Sequence, residues 1–232
     1  MLRVVSWNVR DLLGDPLAVR RVLAGLRADV VCLQEAPRRP GGGWRTGRLA
    51  HDAGLRHAGG GRTSGGTALL LGPRVGVISL TAARLPVSGP ITRTRGLVVA
   101  ELAAVSGPCA GATLCVACLH LPLEPGLRVE HARLSAALLR RHPGPHVVCG
   151  DLNEPPGPAW QPLLALAADP APQAALTFPA GREDKRLDAV LVGAGLRVLH
   201  YGDGDADGAD VVAATDHRPV VVDLLPDAPA PA

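Results

Sequence analysis

Polar residues stand at the ends of the apolar runs of this chain, where a strand would pass into a loop. Asn8 closes VVSWN, Glu35 closes VVCLQE, His120 closes CVACLH, and Asp151 closes VVCGD with Asn153 two residues further on. Carboxylate and amide oxygens are the ligands that Mg²⁺ and Mn²⁺ prefer, and no thiolate accompanies them. An imidazole beside them can donate or accept a proton. These residue types therefore indicate a hard divalent cation with acid–base groups next to it.

Three further polar residues lie at the beginnings of apolar runs. Asp188 stands at the start of LDAVLV, and the pair Asp216 and His217 precedes RPVVVDL. If these strands run antiparallel to the first set, their beginnings lie at the same sheet edge as the ends of the others. All eight side chains then converge on one rim. Taken singly, each has a structural alternative, such as an Asn in a turn or an Asp as a cap.

The pair Asp151 and Asn153 has a spacing of two residues. If the backbone stays extended there, both side chains face the same side. We therefore expect a carboxylate and an amide donor side by side.

Ten short runs rich in Val, Leu and Ala are typical of strands. They cover residues 2–7, 29–34, 67–72, 75–80, 97–102, 112–119, 146–150, 187–192, 197–201 and 219–225. Ten strands with few helices favour two packed sheets flanked by helices.

Two stretches have the spacing of amphipathic helices. The first begins with Asp15 as N-cap and Pro16 at the first helical position, and it places Leu17 and Val22 on one side. The second covers residues 125–142, where the sequence Pro-Gly-Pro follows.

The composition of the remaining segments indicates two loops and one domain boundary. Residues 37–48 and 59–66 are rich in Gly and Arg and are expected to be loops. We expect residues 1–225 to form a single domain and residues 226–232 to be a disordered Pro/Ala tail.

Charge is distributed unevenly along the 232 residues. The first 100 residues carry 15 basic and 5 acidic side chains, within a total net charge of +3. This asymmetry permits an anionic partner on the first half. Arginine supplies 23 of the 24 basic residues, so the abundance of Arg alone says little about phosphate binding.

Apolar stretches such as 96–104 and 112–121 are shorter than the roughly 20 residues that cross a membrane. No membrane span is expected. The N-terminal MLRVVSWNVRD has the pattern of a strand and lacks that of a signal peptide, so we expect a cytoplasmic location. We also expect a monomer. Cys115 and Cys118 are three residues apart on one strand, which directs them to opposite faces and excludes a shared metal or disulfide.

Seven segments match one known family in order along the chain. They are SWNVRD, DVVCLQE, GGTALLL, CLHL, GDLNEPP, RLDAVLV and TDHRPVVVDL. Together they resemble the endonuclease/exonuclease/phosphatase superfamily of metal-dependent phosphoesterases, which includes enzymes of the exonuclease III type and pancreatic-type deoxyribonucleases. The resemblance implies a DNase-I-like α/β fold. This is a four-layer α-β-β-α sandwich of two packed mixed, largely antiparallel sheets.

The resemblance also implies a metal site. Glu35 is similar to the principal metal carboxylate of the family, with Asn8 and Asp216 near the metal, and the implied cation is Mg²⁺ or Mn²⁺ as a substitute. The chain departs from the exonuclease III type at Arg10, where those members often carry an acidic residue. A second metal at that position is therefore in doubt.

The catalytic residues follow from the same resemblance. Asp151 corresponds to the carboxylate that aligns or deprotonates the attacking water, and Asn153 to its companion at the transition state. His217, oriented by Asp188, resembles the His–Asp pair beside the scissile phosphate. His120 resembles a further donor to a phosphoryl oxygen. A buried carboxylate next to His217 should keep that imidazole protonated near neutral pH.

Three functions remain open on the sequence. A phosphodiesterase or nuclease is favoured because the basic first half suits an extended polyanion. A small-molecule or lipid-headgroup phosphatase of the same family is the main alternative, since aromatic residues for base stacking are few. A non-catalytic binding protein on this fold is the third, and retention of all eight rim residues argues against it.

Two weaker motifs complete the candidates. An Arg-rich segment after the second strand is expected either to grip a phosphate backbone or to be a solvated loop; its residues are Arg38, Arg39, Arg45 and Arg48. The loop with Asp203, Asp205 and Asp207 begins like a calcium loop, but Ala214 stands where the bidentate Glu is required. A solvated acidic loop is therefore favoured there.

Overall fold

Two β-sheets pack face to face in the computed structural model, which describes residues 1–87 and 93–227. The first sheet contains six strands, β1 (Leu2–Asn8), β2 (Val30–Gln34), β3 (Arg56–Gly60), β4 (Ala68–Leu71), β10 (Leu196–Gly202) and β11 (Val220–Pro226). Their order is β10-β11-β1-β2-β4-β3. Only β1 and β2 are parallel neighbours within this sheet.

The second sheet has the same kind of arrangement. It contains five strands, β5 (Val75–Arg84), β6 (Gly96–Ala104), β7 (Thr113–His120), β8 (His146–Asp151) and β9 (Asp188–Val192). They lie in sequence order, and only β7 and β8 are parallel. Both sheets are therefore mixed and largely antiparallel.

Helices cover the outer faces of both sheets. They are α1 (Pro16–Leu26), α2 (Gly42–Asp52), α3 (Pro125–Leu139), α4 (Gln161–Leu164) and α5 (Gly208–Ala214). The helices α1, α2 and α5 share an apolar cluster with the first sheet, and α3 and α4 share one with the second. A third cluster fills the space between the sheets. The predicted four-layer sandwich is confirmed.

Side-chain alternation on the strands separates these clusters. On β7, Cys118 faces the cluster between the sheets and Cys115 faces the cluster under α3. Both thiols are buried and free. The predicted separation of this pair onto opposite faces is confirmed.

Strand pairing brings the polar strand ends to one edge. His120 and Asp151 are partners in the parallel pairing of β7 and β8, and Asp188 of the antiparallel β9 pairs with Asp151. The antiparallel β11 begins at Val220, opposite Ser6 near the end of β1. The antiparallel arrangement expected for the last strands is therefore present.

The loop prediction for residues 37–48 was wrong, because α2 begins at Gly42. Thr46, Leu49 and Ala50 recur at helical spacing and are buried. Their packing outweighs the low helix propensity of the three glycines within α2. The loop predicted at 59–66 is partly wrong as well, since it contains the end of β3 and a 3₁₀ turn at Gly61–Ser64.

Helix boundaries and faces also differ from the expectation. Leu17 is 58% exposed, and α1 instead buries a face with Ala18 and Val19 in addition to Val22. The helix α3 ends at Leu139, three residues before the predicted end. The short α4, α5 and the edge strand β3 had not been predicted, because such brief elements show little periodicity.

The C-terminal boundary lies slightly later than expected. Strand β11 ends at Pro226, and the backbone N–H of Asp227 donates to the carbonyl oxygen of Gly195 at 2.9 Å. The predicted tail 226–232 therefore belongs to the fold at its first two residues. Residues 228–232 lie outside the described part of the chain.

None of the helices in the described ranges combines the length and the apolar character needed to cross a bilayer.

Gly150 permits the close approach of β7 and β8. A Cβ at this position would lie 2.6 Å from the carbonyl oxygen of Leu119, its partner on β7. We expect Gly150→Ala to destabilise the fold by about 1–3 kcal/mol, because backbone must shift to relieve the overlap. Gly25→Ala on the exposed side of α1, where a Cβ meets nothing within 4 Å, should instead stabilise by about 0.5–1 kcal/mol. Urea unfolding of both variants checks this, and equal effects would contradict the proposed overlap.

Candidate active site

A cavity of about 710 Å³ opens at the edge where the strand ends meet. Seven of the eight predicted rim residues line it, namely Asn8, Glu35, His120, Asp151, Asn153, Asp216 and His217. The eighth, Asp188, is fully buried behind His217. The structure thus brings together the residues that the sequence had placed on one rim.

Asp151 lies at the centre of this group and is almost completely buried. Its Oδ2 accepts a hydrogen bond from Asn8 Nδ2 at 2.9 Å, and its Oδ1 accepts one from the backbone N–H of Asn153 at 3.0 Å. Burial and the nearby charge of Asp188 raise its pKa to about 7, against the opposing effect of His217 and these hydrogen bonds. A carboxylate with such a pKa can exchange a proton with water near neutral pH.

His217 forms an ion pair with Asp188. The distance between His217 Nδ1 and Asp188 Oδ2 is 2.9 Å, and His217 Nε2 lies 3.8 Å from Asp151 Oδ2. Burial lowers the pKa of His217, but the charge and hydrogen bond of Asp188, with Asp151 and Asp216, outweigh burial and raise it to about 9. The imidazole is therefore protonated at neutral pH, as the sequence had led us to expect.

His120 is in a different electrostatic environment. Burial, followed by the charge of Arg95, lowers its pKa well below the usual value. Its Nδ1 lies 3.2 Å from Arg95 Nη1, and its Nε2 lies 3.3 Å from Asp151 Oδ2. A guanidinium can only donate, so Nδ1 accepts from Arg95, while Nε2 faces both the Asp151 carboxylate and the amide Nδ2 of Asn153. The two histidines of the site thus differ in protonation state.

Asn153 adopts a left-handed conformation with φ 54°, so the extended backbone expected after Asp151 was wrong. Its backbone N–H turns back onto Asp151, and its Nδ2 donates to the carbonyl oxygen of Leu121 at 2.8 Å. Its Nδ2 also lies 3.0 Å from His120 Nε2. The amide still lines the cavity next to Asp151, but it does so through a turn.

Glu35 and Asp216 are the carboxylates of the cavity that are least engaged by other groups. Glu35 Oε1 is 3.5 Å from Arg95 Nη1, and Asp216 Oδ2 is 3.5 Å from Arg10 Nε. Asn8 adds an amide oxygen, which accepts from the backbone N–H of Arg10 at 3.0 Å. This set of hard oxygen donors fits Mg²⁺ or Mn²⁺.

A second group of candidate ligands lies deeper in the site. One ligand atom each from Asp151, Asp188 and His217 falls within 4.8 Å of the others. The hydrogen bond between His217 and Asp188 and the raised pKa of His217 oppose metal binding by this imidazole, since a ligating nitrogen must be unprotonated. The oxygen donors of Glu35, Asn8 and Asp216 therefore fit a cation better than this deeper group does.

The turn after β1 holds Arg10 at the cavity. Arg10, Asp11 and Leu12 have φ values of 47°, 55° and 55°, and the Asp11 N–H donates to the carbonyl oxygen of Glu35 at 2.7 Å. Consecutive left-handed residues of this kind cost about 1–3 kcal/mol each and are typical of functional sites. Arg10 thus lies beside Asp216.

The Arg-rich segment predicted to bind substrate does not line this cavity. Arg38 is bonded to the carbonyl oxygens of Gly65 and Thr94, and Arg48 pairs with Asp52 at 2.9 Å. Arg39 and Arg45 are exposed.

Five other cationic side chains line the cavity instead, namely Arg10, Arg93, Arg95, Arg128 and Lys185. Sequence reasoning did not single out Arg93, Arg95 or Arg128, because Arg is abundant throughout the chain.

The acidic loop before α5 has structural contacts. Asp207 caps α5 through hydrogen bonds from the backbone N–H groups of Ala209 and Asp210, and Asp203 pairs with Arg218 at 3.2 Å. These contacts support the favoured prediction of a solvated loop.

Several solved structures share this fold. An endonuclease/exonuclease/phosphatase family protein from Bacteroides thetaiotaomicron is 18% identical, with 98% of each chain covered and a TM-score of 0.77. A mannosyl-6-phosphatase from Bacteroides thetaiotaomicron VPI-5482 is 18% identical over 97% of this chain and 100% of its own, with a TM-score of 0.75. The 2′,3′-cyclic phosphatase ANGEL2 is 16% identical over 96% and 95%, with a TM-score of 0.67. At these identities the likeness establishes the fold.

A two-sheet sandwich with this rim of carboxylates, amides and histidines defines the class of phosphoester hydrolases. The profile of the endonuclease/exonuclease/phosphatase family matches residues 5–217, and this chain belongs to that family. A search among curated protein sequences found no significant match.

The ion pair between Asp188 and His217 predicts a measurable change in pKa. In Asp188→Asn the pKa of His217 should fall well below about 9, because burial remains while the largest favourable charge is lost. NMR titration of the imidazole nitrogens in metal-free protein measures this. Asp210→Asn, which removes a half-buried carboxylate that is paired with Arg21 outside the cavity, is the matched control and should leave the value unchanged.

The same pair affects stability. Since the folded pKa of His217 lies above the unfolded one, its stabilisation is complete below about pH 6.5 and is lost as the pH rises to about 9. Urea unfolding should show this decline in the wild type and a smaller one in Asp188→Asn. Equal declines would contradict the assigned ion pair.

Proposed function

We propose that this protein is a Mg²⁺- or Mn²⁺-dependent phosphodiesterase that hydrolyses its substrate by direct attack of water on phosphorus. The observation that carries the proposal is the position of Asp151. This buried carboxylate, with a pKa raised to about 7, lies between a protonated His217 and a neutral His120 in a cavity with further cations. Such a site can accept a proton from water and stabilise negative charge on a phosphoryl group.

In this proposal, each residue of the rim has a distinct role. Asp151 aligns the attacking water and takes its proton, and Asn153 holds Asp151 and donates to the transition state. His217 donates from Nε2 to a phosphoryl oxygen, while Asp188 holds its ring. His120 keeps the Asp151 carboxylate in position, and donates to a phosphoryl oxygen once substrate displaces that contact.

Arg95 is a further residue of the site in this proposal. Its side chain is 5% exposed and contacts both Glu35 and His120. A guanidinium remains charged at any relevant pH, so Arg95 supplies a permanent cation for the equatorial oxygens of the substrate.

Glu35, Asn8 and Asp216 would hold the divalent cation. When bound, such a cation polarises a phosphoryl oxygen and stabilises the leaving oxygen. The chain's own residues position the substrate and handle the proton. Among the described residues that line the cavity there is no hydroxyl or thiol side chain, which favours water as the nucleophile.

A monoester phosphatase is the second candidate function. The cavity has five Arg and Lys side chains in addition to the protonated His217, which also suits the higher charge of a monoester, and two of the structurally similar proteins are named as phosphatases. Purified protein with Mg²⁺ should be assayed on bis-p-nitrophenyl phosphate, p-nitrophenyl phosphate, and single-stranded DNA and RNA. Faster turnover of the monoester would favour the phosphatase, and no activity on any of them would favour a binding protein.

Removal of Glu35 should weaken metal binding. We expect Glu35→Gln to lower the affinity for Mg²⁺ by at least tenfold with the fold intact, because a neutral amide replaces a charged oxygen ligand. Calorimetric titration measures this without any substrate. Glu130→Gln on the exposed side of α3 is the control, and unchanged affinity in Glu35→Gln would remove Glu35 from the metal site. Activity of the wild type should also be abolished by EDTA and restored by Mg²⁺.

Replacement of Asp151 should separate catalysis from binding. Asp151→Asn keeps the size of the side chain but removes its charge, and we expect kcat to fall by about 10² to 10⁴. Affinity for an anionic substrate should be retained or increased. Steady-state kinetics and direct binding measure both quantities, and a wild-type kcat would exclude Asp151 from the mechanism.

A further inference from the structure

A groove on the surface between α1 and α2 exposes an aromatic side chain. It has a volume of about 290 Å³ and is lined by Trp44 and Leu17, which are 72% and 58% exposed. The other two tryptophans of the chain, Trp7 and Trp160, are 0% and 1% exposed. The fold has thus buried its other two tryptophan side chains and left this one exposed. We call this feature the Trp44 groove.

The Trp44 groove has an excess of positive charge. Arg20 and Arg45 line it, and neither forms an ion pair within residues 1–87 and 93–227. The single carboxylate of its lining, Asp52, is paired with Arg48 at 2.9 Å, and this hydrogen bond lowers the pKa of Asp52. An anionic ligand therefore meets two available guanidinium groups beside an exposed indole.

A further cavity has lining residues in common with the reaction cavity and adjacent in sequence to the lining of the Trp44 groove. A cavity of about 250 Å³ shares Glu35 and Arg93 with the reaction cavity, and it is also lined by Arg39 and Leu13. Leu12, which precedes Leu13 in the chain, lines the Trp44 groove. A linear polyanion that leaves the reaction cavity past Arg39 would reach Trp44.

We propose that the Trp44 groove binds single-stranded polynucleotide, with one base stacked on Trp44 and the flanking phosphates on Arg20 and Arg45. An aromatic platform beside cations is the arrangement that binds single strands without sequence preference. The proposal rests on the proposed phosphodiesterase function and extends it, because the groove would hold a part of the substrate distant from the scissile bond. A protein or a lipid surface is less consistent with the shared path to a reaction cavity for phosphoesters.

Intrinsic fluorescence tests this proposal directly, since Trp44 is the exposed tryptophan. Titration of the protein in EDTA with the 15-mers dT15 and U15 should quench the fluorescence of Trp44, whereas thymidine monophosphate should have little effect. The two oligonucleotides distinguish DNA from RNA as the bound strand. Binding of fluorescein-labelled dT15 should weaken about tenfold in Trp44→Ala and less in Trp44→Phe. Leu199→Ala, which removes another exposed apolar side chain on β10, is the matched control and should bind normally.

The proposed binding of phosphates by the arginines of the Trp44 groove can be tested separately. The double variant Arg20→Ala and Arg45→Ala should reduce the slope of log Kd against log salt by about one to two. Arg140→Ala with Arg141→Ala, two exposed arginines after α3, is the control and should leave the slope unchanged.

Two results would overturn the proposal. One is that neither oligonucleotide quenches the emission of Trp44. This includes the outcome in which vesicles with anionic lipid shift the Trp44 emission and the oligonucleotides do not. The other is equal affinity of wild type and Trp44→Ala for labelled dT15. Hydrolysis of bis-p-nitrophenyl phosphate by the wild type tests the proposed function separately. If this hydrolysis occurs without oligonucleotide binding, only the groove proposal fails.

Discussion

The buried charge of Asp151 is the interaction on which the arrangement of this site depends. A carboxylate removed from water is costly unless hydrogen bonds and opposite charges compensate it. Its partners come from both sheets, since Asn8 ends β1 of the first sheet, His217 precedes β11, and His120 ends β7 beside Asp151 itself. The two sheets must therefore pack in one register for the charge to be satisfied, and the site and the fold stabilise each other.

The same interactions give the two buried aspartates, and likewise the two histidines, different protonation properties. Asp188 and Asp151 are opposite each other on neighbouring strands, yet Asp188 is bonded to a protonated imidazole while Asp151 has a pKa raised to about 7. His217 is kept charged by carboxylates, and His120 is kept neutral by burial and Arg95. A charged imidazolium, a neutral imidazole and a proton acceptor result within one cavity.

Much of this site could be predicted from the sequence, because local residue patterns indicate where the strands lie and where they end. The apolar alternation predicts the strands, and the polar residue after each run locates the rim. Arg95 could not be found in this way, since it is one of 23 arginines and its role depends on contacts with Glu35 and His120 from distant strands. The helix α2 was missed for a related reason, because burial of Leu49 and Ala50 stabilises a segment whose glycines disfavour a helix.

The central claim is that water aligned by Asp151 attacks phosphorus without a covalent intermediate on the enzyme. The stereochemical course at phosphorus tests it most directly. A single diastereomer of a p-nitrophenyl nucleoside phosphorothioate would be hydrolysed in ¹⁸O-labelled water with Mg²⁺, and the configuration of the product determined by ³¹P NMR. One direct displacement predicts inversion of configuration. Retention would contradict the account, because it requires two successive displacements and therefore a nucleophile on the protein.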